Sequence, residues 1–116
     1  MAEIKSEVIW FEDDLKADYE SLSDNDPLKK GIKRAIECIE RDCQAGEHIK
    51  SNSPIMQHYI KKLTAMGVKI NNIRVYDLPQ AYRLIYTILS NPTETKVVVS
   101  MILDYLDHTN YDRLNK

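Results

Sequence analysis

The sequence predicts an α+β domain in which helices come early and an antiparallel β-meander comes late, all within one unit spanning residues 1–116. Three observations carry this. Between Leu28 and Cys43 apolar side chains recur at steps of four and three, the spacing of one helix face. Between Ile73 and Leu89, and again over 96–103, the chain is instead β-branched and aromatic, with a turn after each run. Helices that precede such a meander must cover one face of its sheet, so the expected arrangement is an N-terminal strand and a helical pair packed on the sheet, followed by a short C-terminal helix. The other face is expected to be open to a ligand.

Each element has a local cause. Val8-Ile9-Trp10-Phe11 is short, β-branched and aromatic, which predicts a first strand. Asp13 and Asp14 follow where acidic side chains favour a helix start, and Leu15, Tyr19 and Leu22 share a face. Asp26-Pro27 supplies an N-cap and then proline in the first turn, opening a second helix that ends near Ala45-Gly46. Residues 47–53 are polar and predict a loop. Ser53-Pro54 repeats the start signal for a third helix, with Ile55, Tyr59, Ile60, Leu63 and Met66 as its apolar set and Gly67 as its stop. Strands over 73–77 and 82–89 flank a turn at Leu78-Pro79-Gln80-Ala81, and a turn over 91–94 leads to Lys96–Leu103, apolar on both faces and so an interior strand. Thr109-Asn110-Tyr111-Asp112 has the form of a capping box for the last helix.

Composition narrows the function. An apolar fraction of 43% and a charged fraction of 29% belong to a globular domain, and no apolar run approaches the ~20 residues of a membrane span. The first residues lack the apolar core of a secretory signal, so a cytoplasmic location is expected. Cys38 and Cys43 fall within helical spacing and are expected as reduced thiols. A net charge of −2 argues against a surface that binds nucleic acid all over, though not against a local basic patch. His48, His58 and His108 lack paired zinc spacing, and three glycines form no phosphate loop, so neither a metal nor a small-molecule cofactor is expected.

One charge stands out. In Tyr82-Arg83-Leu84-Ile85-Tyr86-Thr87-Ile88, strand alternation puts Tyr82, Leu84, Tyr86 and Ile88 on one face and Arg83, Ile85 and Thr87 on the other. Arg83 can thus stand on a sheet face while its neighbours anchor the strand. Its plain structural role is an ion pair with Asp77 or Asp104. The lysines 29, 30, 33, 61 and 62 equally suit solvated helix faces.

Three strings, RVYDLPQAYRLIYTI from Arg74 to Ile88, the following KVVVSMILDYLDH, and DHTNYDRL from Asp107 to Leu114, resemble the RelE/ParE superfamily of small toxins. By element order the resemblance runs from about Ser6 to Leu114; its specific strings lie in the last third. It implies a RelE-like fold and the toxin of a type II toxin–antitoxin system, a metal-independent endoribonuclease, ribosome-dependent or free, that cleaves mRNA and inhibits translation. The implied partners are a cognate protein antitoxin and mRNA, with the ribosome a further partner in the ribosome-dependent case; no membrane is involved. In that chemistry a ribose 2′-OH attacks the neighbouring phosphate, which calls for a base, a cation for the developing charge and an acid for the leaving oxygen. Arg83 matches the family arginine and would hold the phosphate, which its planar fork suits. His108 and Tyr111 match the terminal cluster that supplies an acid, a base or a stacking group. Arg74, Lys61 and Lys62 occupy regions of basic RNA contacts. Asp104 and Asp107 flank the implied site and need a partner such as Arg74 or Arg83 to avoid repelling phosphate. The alternative is a non-catalytic module of the same fold, either a ParE-like protein-targeting toxin or an inactive sibling.

Overall fold

The computed structural model describes residues 3–50, 52–90 and 98–114. Five strands and four helices follow in the order β1 (Glu7–Trp10), α1 (Asp13–Ser21), α2 (Pro27–Arg41), β2 (Glu47–His48), α3 (Pro54–Ala65), β3 (Arg74–Asp77), β4 (Arg83–Ser90), β5 (Val98–Leu106) and α4 (His108–Leu114). They make a compact α+β domain. The strands form one mixed sheet in the order β1-β5-β4-β3-β2, with β1 parallel to β5 and the remaining pairs antiparallel. The late meander is therefore present as predicted, but it is the middle of a wider sheet and not the whole of it.

The start signals act locally as their chemistry requires. The Asp26 carboxylate accepts the Leu28 N–H at 2.9 Å and opens α2; Ser53 Oγ accepts the Met56 N–H at 3.4 Å and opens α3. α2 ends earlier than predicted, at Arg41, because Asp42 leaves helical geometry. At the last helix the cap is Asp107, whose Oδ1 accepts the Asn110 N–H at 2.9 Å, in place of the predicted Thr109. The turn expected over 91–94, and the first two residues of the predicted strand 96–103, lie outside the described residues.

Two apolar layers hold the sheet. On one face Leu28, Ile32, Ala35 and Ile39 of α2 pack on Leu84, Tyr86 and Ile102, with Leu15 and Tyr19 of α1 and Leu22 just after it beside them. On the other, Ile55, Met56, Tyr59 and Leu63 of α3 and Tyr111 of α4 pack on Val75, Ile85, Met101 and Leu103. The open face predicted from the sequence is thus covered. The correction has a simple origin in 47–53, predicted as loop: Glu47 and His48 pair with Val75 and Arg74 at the sheet edge, between the helix on one face and the helix on the other.

Two close approaches lock these layers. A Cβ on Gly31 would sit 2.2 Å from Pro79 Cδ, so only glycine lets α2 meet the 3-10 turn Pro79–Ala81 that joins β3 to β4. Gly46 lies against the ring of Tyr86 and donates its N–H to the buried Tyr86 hydroxyl at 2.9 Å, while that hydroxyl donates to the Cys43 carbonyl at 2.7 Å. One tyrosine thereby ties the chain leaving α2 to the centre of the sheet.

Candidate functional site

The polar groups gather where β4 begins and β5 ends. Arg83 opens β4 opposite Asp77 of β3 and Leu106 of β5. Ile85, two residues further, is buried against α3 and α4, so alternation places Arg83 at the border of that same face. Its guanidinium carbon lies over the Tyr111 ring, 4.6 Å from the centroid, and its Nε is 3.7 Å from Asp77 Oδ1. The Arg83 side chain is 36% exposed and that of Asp77 86%. A pair so wet is screened and contributes at most about 1 kcal/mol, comparable to the ring contact at about 0.5–1 kcal/mol. Arg83 is held in place without being neutralised by a buried acid.

Tyr111 is itself buried, packed on α3 and the sheet by its place in the second turn of α4. It forms the floor beneath Arg83. His108 begins α4 two residues beyond Leu106, the register partner of Arg83, and its Nε2 is 3.0 Å from Asp112 Oδ2, one helical turn on. With 62% of its side chain exposed, the imidazole faces water and has a carboxylate to balance it when protonated. The structure therefore brings Arg83, Tyr111 and His108 to one end of the sheet.

The other predicted residues lie apart. Arg74 donates from Nε to the Gly46 carbonyl at 2.9 Å and from Nη2 to the Gln44 carbonyl at 3.3 Å, on the strand side opposite to Val75 and hence to Arg83. Its geometry is that of a clamp on the turn after α2. Lys62 pairs with Glu12 across 3.2 Å, and Lys61 is exposed with no ion pair or hydrogen bond among the described residues.

A second polar pair was not legible beforehand. The β4–β5 register slips between Ile85 and Tyr86, so that Ile85 faces Asp104 while Tyr86 faces Ile102. Leu103 is the extra residue, and both it and Asp104 turn toward α3, as a bulge allows. There the Tyr59 hydroxyl donates to Asp104 Oδ2 at 3.1 Å, and the Tyr105 N–H donates to Oδ1 at 2.9 Å. Asp104 pairs with neither Arg74 nor Arg83; of the two acids expected for Arg83, it is Asp77 that faces it. Burial pushes its carboxyl above the ordinary carboxylate range, and the hydrogen bonds from Tyr59 and Tyr105 oppose that without overcoming it. The Tyr59 phenol is pushed up as well, first by burial and then by the Asp104 charge. A lone carboxylate in an apolar strand is the same kind of signal that singled out Arg83; Tyr59 carries none, since its ring fits the apolar stripe of α3.

Among the described residues no cluster of three or more His, Cys, Asp or Glu side chains is placed to hold a metal ion. No described helix is long and apolar enough to cross a membrane. The chain matches no protein-family model, no curated protein and no solved structure.

The arrangement offers a partly exposed guanidinium on an aromatic floor and, at the same end of the sheet, a solvent-facing histidine and a half-buried acid.

Proposed function

We propose that this chain is the toxin of a type II toxin–antitoxin pair, a RelE-like, metal-independent endoribonuclease that cleaves mRNA at the ribosome. The observation that carries the reading is the meeting of Arg83 with Tyr111: two residues from strings separated by a whole strand, each singled out by its string, lie in contact at 4.6 Å. Arg83 takes the scissile phosphate and the charge that develops on it, and Tyr111 acts by fixing the guanidinium plane rather than by touching RNA. His108, exposed and backed by Asp112, gives a proton to the leaving oxygen, and solvent water at this exposed end takes the proton of the attacking 2′-OH. A protein antitoxin covers this end of the sheet in the resting cell.

Inducing the chain in a bacterium should arrest growth and translation, with mRNA cut at defined sites on ribosomes. Arg83→Ala should lower cleavage by roughly 10²-fold or more, the usual loss when a transition-state donor is removed, and relieve the arrest. Normal growth with abundant, folded wild-type protein would sink the proposal.

One observation favours the non-catalytic alternative: Arg83 and His108 each already face a carboxylate, Asp77 and Asp112. On that reading the purified chain leaves mRNA intact on translating ribosomes while still binding a small helical partner. Site-specific cleavage would eliminate it.

A further inference from the structure

At the far end of β3 and β4 from Arg83, the loop after α3 and the strand ends enclose a cavity of about 800 Å³. Its volume suits a small organic ligand. Its walls are unusual for a chain of net charge −2, because among the described residues they contain Lys69 and Arg74 and no Asp or Glu. Elsewhere Lys29, Arg41, Lys62 and Arg83 each face a carboxylate. Lys69 has no ion-pair partner among the described residues, and the two donors that Arg74 commits go to neutral carbonyls, which leaves its charge uncompensated. Two like charges beside one cavity repel unless an anion sits between them.

The rest of the lining is mixed: Thr64, Asn71 and Asn72 are polar, and three aliphatic side chains stand beside them. Ile70, Ile88 and Leu89 are half-buried around the cavity. Ile88 is held by the Asn72 side chain, whose Nδ2 donates to its carbonyl at 2.9 Å and whose Oδ1 accepts its N–H at 2.8 Å, a side-chain amide standing in for one rung of a strand ladder. A bare inorganic anion would satisfy the cations and leave these apolar walls wet. A ligand with a phosphate at one end and a flat ring at the other satisfies both.

We propose that this cavity binds a nucleoside monophosphate, with the phosphate facing Lys69 and Arg74 and the base against Ile70 and Leu89, which share the α3 side of the sheet. The site is separate from Arg83, and the proposal does not rest on the toxin reading.

The test is calorimetric titration of the full chain with AMP, adenosine and inorganic phosphate at low salt. AMP should bind saturably and more tightly than either half. Lys69→Gln, an exposed change that leaves the fold intact, should weaken AMP binding about tenfold, the worth of one charge-assisted contact. Ile70→Glu, which adds a carboxylate to the wall, should abolish it while circular dichroism stays native. AMP binding no tighter than phosphate, or binding unchanged in Lys69→Gln, would overturn the proposal.

Discussion

The two faces of the sheet are built from similar helices but do different things with polarity. Against α1 and α2 the sheet presents Leu84, Tyr86 and Ile102, the buried Tyr86 hydroxyl is tied to the backbone at Cys43 and Gly46, and the buried Ser100 hydroxyl meets Ser6 Oγ at 2.9 Å. Against α3 and α4 it presents Ile85 and Met101 as well, but also Arg83 at the rim and Asp104 beneath it, partnered by the side chains of Tyr111 and Tyr59. Neutral hydroxyls keep their partners across ordinary pH, whereas ionisable side chains held by other side chains can change theirs with ligand or proton. The first face is the scaffold of the molecule, and the second carries its adjustable groups.

The largest effect should therefore come from the scaffold. Ile39 is fully buried between α2 and the sheet, and Ile39→Ala removes most of its side chain and leaves a cavity. A loss of about 2–5 kcal/mol in chemical denaturation is expected. If Tyr59→Phe, which removes only a hydroxyl from the opposite face, proved as costly, the division between the two faces would fail.

What the sequence made legible follows the same division. Local chemistry located α2 and α3, because Asp26-Pro27 and Ser53-Pro54 satisfy helix-start N–H groups within a few residues. Nothing local marked the two-residue strand Glu47–His48, which is too short to show a period, so the crossing between faces was missed and one face was wrongly left open. The parallel pairing of β1 with β5 was hidden as well, since residue types along a strand do not name its neighbour. Arg83 was legible as a charge in an apolar strand. That the Tyr111 ring lies beneath it is a tertiary fact, and the Tyr59–Asp104 pair depends on a bulge that only the strand register reveals.

A smaller effect, and one specific to the adjustable face, lies in pH. Asp104 binds its proton more tightly folded than unfolded, because burial raises its pKa. Folding is then favoured below the ordinary carboxylate range, where both states are protonated, and that advantage disappears as pH rises from the ordinary pKa through the raised one. Asp104→Asn keeps the shape and cannot ionise. The difference in unfolding free energy between wild type and Asp104→Asn should change across the weakly acidic range, with wild type losing ground as pH increases. Parallel stability curves across that window would show that Asp104 is more solvated than its hydrogen bonds to Tyr59 and Tyr105 imply.

The smallest effect on stability belongs to His108, and it separates structure from chemistry most sharply. Its pairing with Asp112 is an exposed contact between successive turns of a short helix, worth about 0.3–0.5 kcal/mol and weakened by salt. His108→Ala should therefore unfold within about 0.5 kcal/mol of wild type. On the proposed nuclease reading, a histidine that also gives a proton to a leaving oxygen contributes roughly 10²–10⁴ in rate, so the same substitution should depress mRNA cleavage by at least the lower of these factors. Asp112→Asn, which leaves the imidazole present but without its carboxylate, should fall between the two. If His108→Ala cleaves like wild type, the proton comes from elsewhere, and the end of the sheet retains Arg83 as its only contact with the reacting phosphate.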